Sequence, residues 1–199
     1  MLILPDGAPR APPPQRPFVV LALPRSRTAW LAHWLHALEH PVGHDIAIEC
    51  SNAEVFVRSF SFGMRGTVET AAVEGWRRIA AEVPGVRFVT VRRPLREVQE
   101  SLAKFGLDAT EELEKRNADL DEVEAAGLAE RIDFADLVQR GCRKWFWRYL
   151  LPEVAFDPAR DAEYAGVNIQ VDMPARIAQL RRRAKWAQAL RKDLADAAS

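Results

Sequence analysis

The densest chemistry in this sequence lies in one short loop, Pro24-Arg-Ser-Arg-Thr28. It follows an unbroken apolar run, Phe18-Val-Val-Leu-Ala-Leu23, and precedes a helix pattern with Trp30, Leu31, Trp34, Leu35 and Leu38 on one face. The apolar run reads as a strand buried on both faces, as in a parallel sheet. A turn from such a strand into a helix presents free backbone N–H groups. Together with the helix dipole they favour an anion. Arg25 and Arg27 add planar donor forks that match phosphate or sulfate oxygens, and Ser26 and Thr28 add hydroxyl donors. The same residues in isolation read as solvated charges beside a Ser or Thr helix cap. Their place between a buried strand and an amphipathic helix favours the anion site.

The pattern recurs in Val91-Arg-Arg-Pro-Leu-Arg-Glu-Val-Gln-Glu-Ser101. Arg92 leaves the carboxyl end of the strand Val86–Val91, where ligands bind in open α/β sheets. Ser101, two turns into the next helix, can face the same ligand. Arg93 and Arg96 read as helix-end charges paired with Glu97 and Glu100. An ATP-binding loop would read GxxxxGK[ST]. The matching positions hold Ala22 and Arg27-Thr28-Ala29, without the Lys or the Mg²⁺-holding hydroxyl, which counts against an ATPase.

The elements that position these turns follow from periodicity. A second strand is expected within Asp45–Cys50, and residues 51–68 read as a loop. A helix is expected from about Thr70 to Val83, stopped by Pro84-Gly85. Pro94 suits a helix start, with Leu95, Val98, Leu102 and Phe105 inward. An acidic helix covers 108–126, with Gly127 as its cap. Arg131–Phe134 reads as a short strand. A further helix carries Leu137, Val138, Cys142, Trp145, Phe146, Tyr149 and Leu150 on its core face, with Trp147 off it. Residues 152–173 read as irregular, and a basic helix spans Ile177 to Leu194. Strands alternating with helices predict a three-layer α/β/α fold with a central parallel sheet. Residues 1–17, with six prolines, read as an extended or disordered arm, and 18–199 as one α/β domain.

Composition narrows the function classes. The 28 basic and 28 acidic residues cancel, so there is no general pull toward nucleic acid or acidic lipid. Two cysteines fit a reducing cytoplasm and form no metal-ligand pattern, and the apolar runs are too short to span a membrane. The sequence leaves the oligomeric state open: the Trp30/Trp34 surface suits a core or a homodimer interface.

The two basic turns together resemble the sulfotransferase family, whose first loop reads PKSGTTW or PRSGTTW and whose second element is an R-x-P strand end followed by a helix Ser. Here these are Pro24-Arg-Ser-Arg-Thr-Ala-Trp30 and Arg92-Arg-Pro94 with Ser101. Arg131-Ile-Asp-Phe-Ala-Asp-Leu137 is similar to a third family segment, and the likeness runs from about residue 18 to 157. The family's loop Gly is Arg27 here, and its C-terminal RKGxxG segment is missing. The resemblance implies a P-loop nucleoside triphosphate hydrolase-like fold and a 3′-phosphoadenosine 5′-phosphosulfate donor, released as adenosine 3′,5′-bisphosphate, with no metal. Arg25, Ser26, Arg27, Thr28, Ala29 and Trp30 would then hold the phosphosulfate, and Arg92 and Ser101 the 3′-phosphate. Arg25 would also stabilise the leaving oxygen. The acceptor, a small molecule or saccharide, needs a general base. His44, beside Asp45, is ranked before Glu69, while His33, His36 and His40 face solvent or packing. The acceptor pocket is expected around 51–68 and 152–173. Two alternatives remain: a nucleotide-type kinase on the same fold, and a non-catalytic nucleotide- or anion-binding protein that retains it.

Overall fold

Phe18–Ala22 forms strand β1, and all five residues are buried. In the computed structural model, residues 16–46, 53–61, 63–70, 76–104, 106–107, 109–138 and 140–167 are described. After β1 come α1 (Thr28–Leu35), β2 (Val42–His44), α2 (Ala53–Ser61), β3 (Gly66–Glu69), α3 (Trp76–Glu82) and β4 (Arg87–Arg92). Then follow α4 (Leu95–Ala103), α5 (Thr110–Ala125), β5 (Ala129–Asp133), α6 (Phe134–Val138), α7 (Arg140–Leu150) and α8 (Pro158–Ala165). The chain divides into two compact units, Met1–Asp157 and Pro158–Ser199. The second contains α8, where the Arg160 guanidinium lies over the Tyr164 ring. The N-terminal arm through residue 15 and the expected C-terminal helix lie outside the described residues.

The strands form one sheet in the order β2-β3-β1-β4-β5. Every pairing is parallel. Only the connection from β1 to β2 runs toward one edge; the later ones run toward the other. Right-handed crossovers therefore place α1 on one face and α2 to α5 on the opposite face. Packing agrees. Val19 and Leu21 of β1 cluster with Phe60, Ile79, Val98, Leu102, Leu113, Leu120 and Val123 from α2 to α5. Strand alternation turns Phe18, Val20 and Ala22 the other way. On that side Trp34 of α1 stacks on Trp30 and meets Trp147 of α7 edge-on, each at 5.3 Å between ring centroids. The first unit is thus a three-layer α/β/α fold around a five-stranded parallel sheet. β1 and β4 are neighbours, so the two basic turns leave adjacent strand ends.

Several sequence expectations change here. Helix α1 stops at Leu35, well before Pro41, and Leu38 is 91 % exposed. The Val42 N–H donates to His36 Nδ1 at 3.1 Å, closing the turn early, and a strand forms at Val42–His44; of the strand expected within 45–50, only Asp45 and Ile46 are described, and neither belongs to a strand. Residues 47–50 lie outside the described residues. The expected loop at 51–68 contains α2 and most of β3. Its glycines had read as breakers, yet Gly66 sits within the strand because a Cβ there would meet the Phe18 ring at 2.3 Å. Residues 158–165, expected to be irregular, form α8. On α7 the buried residues are Arg143, Phe146, Trp147 and Leu150. Trp147 therefore lies in the core, while Trp145 is 51 % exposed and stacks on Tyr149. The buried face is thus rotated from the expected one and takes in the charged residue Arg143.

Candidate oxyanion site

The β1–α1 loop bends through two left-handed residues, Arg25 at φ 67° and Arg27 at φ 59°. Such angles are unfavourable for side chains larger than Gly and are commonest at functional turns. The Ser26 N–H donates to the Leu23 carbonyl at 3.3 Å, and the Leu31 N–H to that of Arg27 at 2.8 Å. Arg27 is the N-cap of α1 and makes no side-chain cap bond. The Ser26 side chain is fully buried, yet its Oγ has no hydrogen-bond partner. A buried hydroxyl without a partner is costly unless a ligand completes it.

The two loop arginines diverge. Arg25 turns toward the second basic element and donates from Nε to Ser101 Oγ of α4 at 3.1 Å. Arg27 stays exposed, with its guanidinium 5.6 Å from the Trp30 ring centroid. Trp30 itself is buried against Trp34. Arg93 bridges the two turns: its Nη1 donates to the Arg25 carbonyl at 2.6 Å, and its guanidinium lies over the Phe134 ring. Burial, then repulsion from Arg93, lowers the pKa of Arg25 from its ordinary value. For Arg27 the causes are burial, then Arg143, then Arg93. Four guanidinium groups from three parts of the chain thus press on one loop. A bound anion would relieve that repulsion.

On the opposite flank Thr28 Oγ1 lies 3.2 Å from His44 Nε2 and 3.4 Å from Thr70 Oγ1. His44 Nδ1 faces Asp45 Oδ2 at 3.4 Å. Asp45, at φ 52°, accepts the Thr70 N–H at 2.6 Å and the Thr70 hydroxyl at 2.8 Å. Hydroxyl, imidazole and carboxylate are thus in sequence at the mouth of the loop, an arrangement that can orient a base. Glu69 is different. It is fully buried, and its Oε1 accepts from the Ile46 N–H at 3.1 Å and from the Thr67 hydroxyl. It holds the chain after β2 in place and presents no surface to an acceptor.

No protein-family model and no curated protein matches the chain. Among solved structures it is similar to a gluconokinase from Sinorhizobium meliloti 1021. That pair shares 13% identity with a TM-score of 0.49, over 73% of this chain and 100% of that chain.

Arg92 and Ser101 are not brought together by any contact. Arg92 pairs with Asp121 of α5 and with Glu124 at 3.5 Å. Ser101 receives Arg25 instead. Beside the β4 turn lies a cleft of about 440 Å³ lined by Arg92, Arg93, Asn117, Arg131 and Phe134 among others. The sequence reading missed Arg93, taken as a helix-end charge, and Arg143. Arg143 was detectable: with Phe146, Trp147 and Leu150 it follows the i, i+3, i+4, i+7 spacing of a buried face. Nothing in the sequence marked Arg93 over Arg92, because which of two adjacent arginines turns toward the loop depends on where α5 puts its carboxylates.

Proposed function

We propose that the chain is a nucleotide-dependent group transferase that holds the donor's oxyanion in the Pro24–Thr28 loop and moves a sulfuryl group to an acceptor hydroxyl or amine. The observation that carries this reading is the loop itself: the buried, unpartnered Ser26 Oγ at the N-terminus of α1, in a ring of arginines. The donors around this loop are arginines, whose planar forks suit a phosphosulfate such as 3′-phosphoadenosine 5′-phosphosulfate.

In that reaction a new bond forms between the acceptor oxygen and sulfur, and the bond from sulfur to the bridging phosphate oxygen breaks. Charge develops on that oxygen, where Arg25 is the nearest cation of the loop by resemblance to the family. His44, oriented by Asp45, takes the acceptor's proton. The second reading is a nucleotide-type kinase, which the strand order favours equally. A third, non-catalytic reading has the Arg27 guanidinium occupying the anion's place.

Calorimetric titration of the full chain with adenosine 3′,5′-bisphosphate, with ATP plus Mg²⁺ alongside, tests the reading. Binding of the bisphosphate, at about micromolar Kd, supports sulfuryl transfer. Binding of ATP alone moves the protein to the kinases, and binding of neither sinks the nucleotide reading.

A further inference from the structure

The cleft beside the β4 turn is lined by three arginines, which suggests a second anion site at first sight. Its pairings argue otherwise. Arg92 meets Asp121 and Glu124, Arg93 meets Glu97 at 3.1 Å, and Arg131 meets Asp133 at 3.4 Å and Glu124 at 3.7 Å. Each lining arginine already faces a carboxylate, and Thr90 Oγ1 also donates to Glu124 at 2.6 Å. A further dianion would have to displace these carboxylates or lie beside them, and like charges repel.

What the cleft offers a neutral ligand is more specific. Arg92 lines the cleft, and its buried Nη1 has no hydrogen-bond partner, which leaves one donor of this residue unmatched by the carboxylates. Asn117, whose amide lies 3.4 Å from Asp121 Oδ2, adds an amide edge. Phe134 supplies an aromatic face, already covered in part by the Arg93 guanidinium at 4.7 Å. The volume, about 440 Å³, falls within the range of small-ligand sites. Arg93 lines the cleft and also donates to the Arg25 carbonyl, so cleft and oxyanion loop share a wall.

We infer that this cleft receives the uncharged nucleoside part of the nucleotide whose phosphate lies in the Pro24–Thr28 loop, and that it does not select for a 3′-phosphate. The inference rests on the proposed function for the loop but adds a departure from what the resemblance implies: Arg92 serves a neutral acceptor atom. Adenosine 5′-phosphosulfate and its 3′-phosphorylated form then bind alike.

The test is titration of the full chain with inorganic phosphate, adenosine 5′-monophosphate and adenosine 3′,5′-bisphosphate. The monophosphate should bind at least about tenfold tighter than inorganic phosphate, the scale expected of one stacked base. The bisphosphate should lie within about threefold of it, well under the effect of a charge-assisted bond. Phe134→Ala should lower affinity for both nucleotides and leave that for inorganic phosphate unchanged. Asp121→Asn with Glu124→Gln should create a preference for the bisphosphate. A monophosphate no tighter than inorganic phosphate overturns the inference, as does a native bisphosphate preference above about tenfold. Nucleotide binding through Phe134 without any phosphate binding supports the cleft and sinks the loop reading instead.

Discussion

The two strand-end turns share a sequence pattern and a place in the fold, yet their arginines have different company. At the β4 turn Arg92 faces Asp121 and Glu124, and Arg93 faces Glu97. At the β1 turn Arg25 reaches a hydroxyl, Ser101, and both loop arginines are pressed by other arginines. One turn is charge-balanced by the acidic helix α5 and by α4; the other gathers positive charge around a buried, unpartnered hydroxyl. Two similar motifs on one sheet can thus divide one ligand between them, one taking its charge and the other its neutral part. What differs is not the motif but the helices that pack over it.

Breaking the β1 turn should have the largest effect. Arg25→Ala should lower turnover by roughly 10²- to 10³-fold, the scale of losing one preorganised charge donor, with an unchanged circular dichroism spectrum. Full activity in that variant would remove Arg25 from the chemistry. His44→Ala comes next: loss of a positioned base costs about 10²-fold or more in kcat. A change in nucleotide affinity with no change in kcat would reassign His44 to donor binding. At the β4 turn, Arg92→Ala leaves Asp121 and Glu124 without that cation. Here the expected loss is in stability, about 1–3 kcal/mol, measurable by urea denaturation, with inorganic phosphate still binding.

Much of this architecture was legible in the residues. The run Phe18–Leu23 could be little other than a doubly buried strand, and β4, α4 and α5 followed from simple periodicity and Pro or Gly stops. Local signals failed where tertiary packing overrode them. Gly66 looked like a breaker but is the residue that makes room for Phe18. The face of α7 was misread because a charged residue, Arg143, is buried beside Phe146 and Trp147 at 7 % exposure. In the site, the loop and the His44–Asp45 pair were legible as local strings. The partners of Arg92 and Arg93 were not, because they depend on contacts across 29 and 68 residues of sequence. Sequence shows which side chains can do chemistry; it does not show which of them the fold neutralises.

Within the β1 turn a finer contrast separates its two arginines, and Arg27→Gly addresses it with the smallest expected effect. Arg27 sits at φ 59°, a conformation that costs an L-residue about 1–2 kcal/mol and glycine little. Replacement also removes the contact with the Trp30 ring, worth about 0.5–1 kcal/mol at an exposed site. These effects oppose each other, so Tm should move by less than about 4 °C. The backbone N–H groups of the loop remain, and the side chain lost is an exposed one that makes no cap bond. Phosphate affinity should therefore fall by less than about fivefold, the size of one screened surface charge. If Arg27→Gly instead abolishes phosphate binding, the exposed arginine is part of the anion's cage. The loop would then close over its ligand with both side chains rather than holding it with Arg25 and the backbone.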